Sequence, residues 1–279
     1  MAALVERLRA QAARRETPCG TGSLVWHVWG ETHPGHPPVV LFHGGSGSWT
    51  HWVRNIEPLV GAGRQVIAAD LPGFGDSALP PTGGDADALV APLADGLAAL
   101  LGGEPCDLVG FSFGGMTAGL LLAEHPALAR RLVLVGAPAM GVTPERQFEL
   151  KAWRHLPEAE QAAVHRFNLA ALMLHDTALI DGLALDLHVA NLRRDRMPRR
   201  RLAHTDILAR KLPGVRCPVF AIYGAHDALY KAWIHQLEEA FAAAAPDFRG
   251  LVLIPGAGHW VPFERPEAFD AALLAALDA

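Results

Sequence analysis

The sequence predicts an α/β fold in which a mostly parallel, doubly wound sheet is interrupted by an all-helical insertion. Two observations predict the sheet. Short runs rich in Val, Ile and Leu end at turn residues and are continuous rather than alternating, which is typical of strands covered on both faces. From about residue 38 onward, helix-like stretches separate these runs, and this rhythm implies right-handed crossovers between parallel strands. A third observation, a long interval without strands, predicts the insertion.

Seven apolar runs are the predicted strands. In chain order they read SLVWHVWG, PPVVLFHG, RQVIAADLPG, CDLVGFS, RLVLVGAP, CPVFAIYG and GLVLIPG. The first run precedes the strand–helix alternation, so we assign it to an antiparallel hairpin at one edge of the sheet. Helix-like stretches between later runs predict helices over residues 87–100, 114–125 and 231–245.

The insertion is predicted over residues 140–213. This interval is rich in Ala, Leu, Arg and His and contains no convincing strand, and the strand–helix rhythm resumes at the run CPVF. We therefore expect one domain in three stretches. Residues 1–139 and 214–279 form the α/β core, and residues 140–213 form a helical lid over the carboxyl edge of the sheet.

Composition excludes several classes of protein. The net charge of −5 over 279 residues argues against general affinity for nucleic acid or for an anionic membrane. No apolar run approaches the ~18 residues of a membrane span. The three cysteines are odd in number and far apart, so we expect buried thiols and a reducing, cytoplasmic location. The basic N-terminal segment is interpreted as a short helix, with a transit peptide as the alternative.

A serine ends the fourth predicted strand. Ser112 lies in the pattern Gly-x-Ser-x-Gly, directly after the run CDLVG and directly before a helix-like stretch. Gly110 and Gly114 permit the close backbone approach that a sharp strand-to-helix turn requires. Such a turn projects the serine hydroxyl outward above the helix N-terminus. The context therefore makes Ser112 a candidate nucleophile.

A serine hydroxyl needs a general base, and the base needs an acid that orients it. Asp227 follows the run PVFAIYG and His259 follows the run LVLIPG, so both are expected at strand ends and in the order Ser, Asp, His. Asp247 is a weaker acid candidate because it precedes a strand. His226 is a weaker base candidate because it adjoins the acid. We predict a triad of Ser112, Asp227 and His259.

Attack on a carbonyl creates an oxyanion, which requires preorganised hydrogen-bond donors. One donor is expected to be the backbone N–H of Phe113, the residue after the nucleophile. The other is expected in the loop HGGSGSW after the second run, at Gly45 or alternatively at Ser46. A plain glycine-rich loop is the other interpretation. A phosphate-binding loop is excluded because no Lys-Ser/Thr pair follows the glycines.

Together these motifs resemble the α/β-hydrolase family over nearly the whole chain. The segments that support the resemblance are HGGSGSW (43–49), DLPGFGDS (70–77), GFSFGG (110–115), YGAHD (223–227) and GAGHWVPFERPEAF (256–269). The resemblance implies a sheet of the α/β-hydrolase type and the roles already given to the triad and the two amides. It also implies that residues 70–77 form a structural loop below the site. The motifs are specific for the family but not for the substrate.

Within the family, an aspartate nucleophile would mark haloalkane dehalogenases and epoxide hydrolases, and the serine argues against both. Esterases, lactonases, cofactor-free perhydrolases and carbon–carbon hydrolases of ring-fission products remain. The last group resembles this chain in having Trp260 after the histidine and uses an arginine of the lid, here Arg193 or Arg194. Against it, Phe111 stands where such enzymes often have Asn. The arginine run is otherwise a solvated helix face.

The sequence therefore favours a serine hydrolase of small carboxylic esters, with Phe111, Trp260 and Arg193 as substrate-binding residues. The first alternative is a carbon–carbon hydrolase acting on 2-hydroxy-6-oxo-dienoates, and the second is a non-catalytic ligand-binding module. We expect no cofactor and no metal, because there is no HExxH motif and the pair of histidines at 33–36 has no companion ligands. The expected partner is a small-molecule substrate. A homo-oligomer is left open.

Overall fold

One eight-stranded sheet organises the computed structural model, which describes residues 2–180 and 182–279. The strands are β1 (Ala13–Cys19), β2 (Gly22–Trp29), β3 (Val39–Phe42), β4 (Val66–Asp70), β5 (Cys106–Phe111), β6 (Ala129–Val135), β7 (Val219–Gly224) and β8 (Phe248–Ile254). They lie side by side in the order β1-β2-β4-β3-β5-β6-β7-β8. β2 is antiparallel to β1 and β4, and the other neighbours are parallel. The predicted mostly parallel sheet with an antiparallel edge is confirmed.

The helices of the described chain flank this sheet. They are α1 (Ala2–Gln11), α2 (Ile56–Gly61), α3 (Val90–Leu101), α4 (Phe113–Glu124), α5 (Glu158–Asn168), α6 (Gly182–Arg193), α7 (Ile207–Lys211), α8 (Leu237–Ala244), α9 (Val261–Glu264) and α10 (Pro266–Asp278). The predicted helices at 87–100, 114–125 and 231–245 correspond to α3, α4 and α8. Short 3₁₀ turns over Ala86–Leu89 and Lys231–Gln236 precede α3 and α8.

The central strands are buried on both faces, which explains their continuous apolar sequences. In β3, Val40 and Phe42 belong to the core that contains α3 and α4. Val39 and Leu41 point the other way, into the core that contains α2 and α10. All four are fully buried, and each such side chain contributes roughly 1.5–3 kcal/mol to folding. Alternate residues of one strand therefore pack into two hydrophobic layers, one on each face of the sheet.

The hairpin partner β1 was not among the predicted runs. Its sequence, ARRETPC, is polar, and its first four residues are exposed. Because β1 is the outermost strand and pairs along its length with β2 alone, its pairing needs few apolar side chains. A search for apolar runs cannot find such a strand.

The chain between β6 and β7 contains helices and irregular segments and no strand within its described residues. We refer to residues 140–213 as the helical insertion. It includes α5, α6 and α7, and a π-helical turn over Leu169–Met173 follows α5 directly. Its irregular first part, residues 141–150, and its last part approach the carboxyl ends of the strands.

Other expectations from composition can be compared with the structure. The three cysteines are free and buried, as predicted. Burial raises the pKa of the Cys217 thiol to about 11, so this thiol is a structural group rather than a nucleophile near pH 7. Among the described residues, no helix combines the length and the apolar character that crossing a bilayer requires. The N-terminal segment forms the short helix α1.

One buried carboxyl lies between α10 and the start of α2. Asp270 is 7% exposed, and its Oδ1 accepts a hydrogen bond from Asn55 Nδ2 at 2.8 Å. Burial raises the pKa of Asp270 from 3.8 to about 7. The Oδ1 atom of Asn55 has no hydrogen-bond donor in the described chain. The charged form of Asp270 is therefore disfavoured relative to the protonated form, because burial outweighs its one hydrogen bond from Asn55.

Asp270→Asn should stabilise the protein above pH 7. Because the folded-state pKa is raised, the contribution of this carboxyl to stability is fully present below about pH 4 and is lost as the pH rises through about 7. At pH 8 we expect the unfolding temperature to rise by about 2–4 °C, or roughly 1 kcal/mol. At pH 5 the gain should shrink or vanish. Thermal unfolding of the variant at both pH values tests this, with the exposed Asp95→Asn as control; equal gains at pH 5 and pH 8 would contradict it.

Candidate active site

The turn between β5 and α4 places Ser112 in a backbone conformation that is rare for residues other than glycine. Its φ of 51° and ψ of −119° lie outside the regions that L-residues normally occupy. Such a residue costs about 1–3 kcal/mol and persists only where its surroundings hold it. Here the N–H of Ser112 donates to the Val135 carbonyl at 2.7 Å, and its carbonyl accepts from Gly115 at 2.9 Å.

Both glycines of the Gly-x-Ser-x-Gly pattern are required by close backbone contacts. A Cβ on Gly110 would lie 2.5 Å from the carbonyl oxygen of Gly114. A Cβ on Gly114 would lie 2.5 Å from the carbonyl oxygen of Phe42 and closer still to that of His43. The start of α4 is thereby pressed against the end of β3. This contact brings the loop after β3 next to Ser112.

A continuous chain of hydrogen bonds joins Ser112, His259 and Asp227. Nε2 of His259 lies 2.8 Å from Oγ of Ser112. Nδ1 of His259 lies 2.9 Å from Oδ2 and 3.1 Å from Oδ1 of Asp227. His259 is 2% exposed and Asp227 is fully buried. With its proton on Nδ1, the imidazole can accept the hydroxyl proton of Ser112 through Nε2 while the carboxylate stabilises the resulting charge.

The two rival residues lie outside this chain. Asp247 forms an exposed ion pair with Arg249, 2.6 Å away, before the start of β8. His226 is exposed, and its ring stacks on that of His175 with centroids 3.8 Å apart. The structure therefore brings together the three side chains that strand order predicted and places the two alternatives outside this chain of hydrogen bonds.

The loop after β3, here called the β3 loop (residues 43–48), is braced by two buried histidines. The N–H of Gly44 donates to Nδ1 of His51 at 3.2 Å. Nδ1 of His43 donates to the Gly44 carbonyl at 2.7 Å, and its Nε2 accepts the N–H of Leu71 at 2.9 Å. Burial lowers the pKa of His43 to about 4 and that of His51 well below its usual value. Both rings are therefore neutral near pH 7 and keep the proton positions that these bonds need.

These braces leave two amides free beside Ser112. The N–H groups of Gly45 and Phe113 donate to no other group of the described chain, and both residues line the cavity above Ser112. They are the two residues that sequence reasoning chose as oxyanion donors. Sequence reasoning missed the roles of His43 and His51, although both stand in or beside the motif HGGSGSW.

Residues 70–77 support the β3 loop from below. Asp70 is fully buried, and its Oδ1 accepts the N–H of Trp49 at 2.9 Å while its Oδ2 accepts that of Asp76 at 2.8 Å. Oδ2 also lies 3.7 Å from Nε2 of His27. His27, Asp70 and Asp76 are close enough to hold a metal ion, but Asp76 also pairs with Arg194 and Asp70 already accepts two amides. The cluster is accounted for as a structural brace of the strand ends.

A cavity of about 810 Å³ lies over Ser112 and His259. Its apolar wall includes Phe111, Phe113, Leu172 and Met173. Phe111 therefore lies where it was predicted. The helical insertion supplies much of the rest, from the irregular residues 141–150 to the segment after α6.

Two predicted substrate-binding residues lie elsewhere. Trp260 is 1% exposed, stacks on Phe263 and donates from Nε1 to the carbonyl of His51 at 3.0 Å, so it packs behind the site and does not line the cavity. Arg193 ends α6 with its side chain 57% exposed and pairs with Glu158 at 3.4 Å. It points to solvent because α6 turns that face away from the cavity.

A different arginine reaches the cavity. Arg194 pairs with Asp76 and also misses the cavity wall. Arg200, six residues further along the same arginine-rich run, lines the cavity together with Gly45. Its guanidinium carbon lies 5.8 Å from the ring centroid of Phe113. Helical spacing does not reveal this position, because the chain after α6 is irregular.

Comparison with known proteins identifies the fold. A family model described as the alpha/beta hydrolase family matches residues 39–272. The chain belongs to this family. Among its relatives, a 2-hydroxy-6-oxo-6-phenylhexa-2,4-dienoate hydrolase from Burkholderia cepacia is 26% identical over 248 residues, which cover 83% of this chain and 84% of the relative.

Two solved structures illustrate how widely this alpha/beta hydrolase shares its architecture. A 2-hydroxy-6-oxo-6-phenylhexa-2,4-dienoate hydrolase from a Rhodococcus strain has a TM-score of 0.72 and 22% identity, over 96% of this chain and 99% of that one. A carboxylesterase from Bacillus subtilis has a TM-score of 0.73 and 19% identity, over 98% and 94%. At these identities the structures support the fold alone. With the family established, the chain is a hydrolase.

A buried carboxylate in this alpha/beta hydrolase ties the loop that carries His259 to the helical insertion. Glu264 is 2% exposed and accepts the N–H of Gly258 at 2.7 Å. It also accepts the N–H groups of His175 at 3.2 Å and Asp176 at 2.6 Å. Sequence reasoning did not single it out, although it lies within the motif GAGHWVPFERPEAF.

Glu264→Ala should destabilise the protein by about 2–6 kcal/mol. The buried N–H of Gly258 loses its acceptor, which costs about 1–3 kcal/mol, and the less buried N–H groups of His175 and Asp176 each lose a hydrogen bond worth about 0.5–1.5 kcal/mol. Turnover should also fall, since the His259 loop loses its anchor. Urea unfolding measures the first effect. The matched control is Glu267→Ala, an exposed carboxylate three residues on, which should change stability by less than about 0.5 kcal/mol. Equal effects of the two variants would refute the role given to Glu264.

Proposed function

We propose that the protein is a serine hydrolase that cleaves small carboxylic esters or related acyl compounds through an acyl-enzyme on Ser112. The observation that carries this proposal is the hydrogen-bonded chain from Ser112 Oγ through His259 to the buried Asp227, at the floor of a cavity. A serine, a histidine and a carboxylate in this order are the groups that acyl transfer needs.

In the first half of the proposed reaction, Oγ of Ser112 attacks the substrate carbonyl and His259 takes its proton through Nε2. Asp227 keeps the imidazole in the required tautomer and stabilises its charged form. The carbonyl oxygen becomes an oxyanion and accepts hydrogen bonds from the amides of Gly45 and Phe113. His259 then donates the proton to the leaving group, and the acyl-enzyme remains.

In the second half, His259 activates a water molecule, which attacks the acyl group and releases the acid. The two amides serve this step as well, and a single oxyanion donor is worth about 10²–10³ in kcat. The strained turn at Ser112 supports the same proposal, because it holds Oγ against His259 before any substrate binds. The apolar wall with Phe111 and Met173 should discriminate weakly among acyl groups, since one methylene is worth only about 1–3 kcal/mol.

Ser112→Ala should lower the turnover of a short p-nitrophenyl ester by about 10⁴-fold or more, because no other group of the site supplies the nucleophile. Ser23→Ala, which removes a hydroxyl at the start of β2, serves as the control and should turn over normally. A fluorophosphonate probe should label the unaltered protein and not the Ser112→Ala variant, as read by intact mass. Substantial turnover or labelling without the Ser112 hydroxyl would disprove the proposal.

A second candidate is hydrolysis of a carbon–carbon bond in a 2-hydroxy-6-oxo-dienoate. It is favoured by the name of the Burkholderia cepacia relative and by Arg200, whose guanidinium lines the cavity. A dienoate carboxylate would compete there with Asp195, which pairs with Arg200 at 2.8 Å. The role of binding this carboxylate passes to Arg200 from Arg193, which faces solvent. Phe111 still stands where such enzymes often carry Asn, so hydrolysis of carboxylic esters remains the favoured hypothesis.

Paired kinetics separate the two candidates. If dienoates are the substrates, the unaltered protein should consume a ring-fission dienoate much faster than a p-nitrophenyl ester. Arg200→Gln should then raise KM about tenfold or more for the dienoate and leave KM for the neutral ester unchanged, whereas Arg193→Gln should change neither. Rapid ester turnover with a slow dienoate reaction would exclude this candidate. Binding of both compounds without turnover of either would support a non-catalytic binding module instead.

A further inference from the structure

The β3 loop holds a second strained residue besides the serine of the elbow. Ser46 follows Gly45 directly and has a φ of 51°, in the left-handed region that favours glycine. A serine stays in this region only where its surroundings fix it. Because Ser46 is bonded to Gly45, its conformation fixes the peptide between the two residues and limits the backbone angles of Gly45, whose own N–H belongs to the preceding peptide. Gly45 also lies against Arg200, since a Cβ at Gly45 would be 3.4 Å from Nε of that side chain.

Two charged side chains of the helical insertion hold Ser46 in place. Oγ of Ser46 donates to Oδ2 of Asp195 at 2.5 Å and accepts from an Nη atom of Arg200 at 2.9 Å. The second Nη atom of Arg200 donates to both carboxylate oxygens of Asp195, at 2.9 and 2.8 Å. The three side chains therefore form a closed triangle of hydrogen bonds, in which Ser46 is the only corner that belongs to the α/β core.

The acidic corner of this triangle is nearly buried and well satisfied. The Asp195 side chain is 8% exposed, and its Oδ1 also accepts the N–H of Met197 at 2.8 Å. Charge-assisted hydrogen bonds at such a site are strong and directional. By contrast, the exposed pair between Arg193 and Glu158 on the same insertion touches no residue of the β3 loop, and pairs of this kind contribute little.

A neutral contact fastens the far end of the loop in the same way. Asn191, 3% exposed on the last turn of α6, accepts from Oγ of Ser48 at 2.8 Å and donates to Oγ1 of Thr50 at 3.1 Å. The β3 loop is therefore attached to the insertion at two positions, Ser46 and Ser48. Only the attachment at Ser46 adjoins Gly45.

We propose that Asp195 is a positioning residue: with Arg200 it latches the helical insertion to Ser46 and thereby fixes the Gly45 amide for the oxyanion. The latch rests on the proposed function. It couples the two parts of the site, because the insertion that walls the cavity and the amide that receives the oxyanion are held by one ionic cluster. If the insertion moves away from the core, its hydrogen bonds to Ser46 break and the Gly45 N–H is no longer held in place. Hydrolysis therefore requires that the insertion be packed against the core.

The test is Asp195→Asn, which keeps the side-chain shape and removes the charge. With a p-nitrophenyl ester we expect kcat to fall roughly 10–100-fold and KM to change less than about threefold, because the oxyanion forms only in the transition state. A phenylboronic acid, whose tetrahedral adduct on Ser112 places an oxygen at the same amides, should bind weaker by the same factor as the fall in kcat. A merely structural role would not make these two quantities change together.

Further variants complete the test. Ser46→Ala removes the partner of Asp195 in the core and should lower kcat as Asp195→Asn does. The kcat of the double variant should be no lower than that of the more impaired single variant. Glu158→Gln, which removes the carboxylate of an exposed pair on the same insertion, is the matched control and should behave as the unaltered protein. If Asp195→Asn does not fold, Ser46→Ala carries the same expectation.

The outcomes are distinguishable. Normal kcat in Asp195→Asn and Ser46→Ala would overturn the latch and leave the proposed function standing. A fall in kcat without a matching loss of boronic acid affinity, or additive effects in the double variant, would also overturn it. An unaltered protein that shows neither Ser112-dependent turnover nor labelling by a fluorophosphonate would overturn the proposed function and the latch with it.

Discussion

The close contact between the start of α4 and the end of β3 sets the geometry on which the whole site depends. Gly114 lies against the carbonyl groups of Phe42 and His43, where any side chain would collide. This approach forces the sharp turn at Ser112 and brings the β3 loop within reach of the same carbonyl carbon that Ser112 would attack. The two free amides beside the serine are thus a consequence of one backbone packing constraint.

Around this contact, several buried polar side chains hold backbone groups in place. His43 and His51 stay neutral because burial disfavours their charged forms, and each fixes part of the β3 loop. Asp70 and Glu264 use carboxylate oxygens to gather amides from separate segments. A low local dielectric strengthens these bonds. These contacts fix the backbone around the free amides in advance, as the proposed reaction requires when charge develops on a carbonyl oxygen.

The fold and the central residues of the site could be predicted because parallel strands end at one edge of a sheet. Ser112, Asp227 and His259 each follow an apolar run, and strand topology alone brings them together. The polar strand β1 could not be found in this way, since an outer strand needs no apolar pattern. The prediction for Trp260 was wrong because its position beside His259 in sequence does not show that α9 turns its ring away from the cavity.

The arginine-rich run shows the same limit more sharply. Treating it as one helix face selected Arg193, but α6 ends at that residue and the chain continues without regular secondary structure. Arg200 reaches the cavity because this irregular segment crosses residues 73–77, where Met197 packs against Gly73. Such a crossing depends on contacts between segments more than 100 residues apart. No local pattern in the run encodes it.

The attachments of the insertion carry a consequence for protein engineering. The insertion is fastened to the core at Glu264, at Ser46 and at Ser48, and each fastening has one partner in the insertion and one in the core. Exchanging this segment for that of another family member would therefore transplant only half of every joint. A chimera would keep a working site only if the matching core side chains were exchanged as well. The interchangeable module is therefore the insertion together with its core partners Ser46, Ser48 and Glu264.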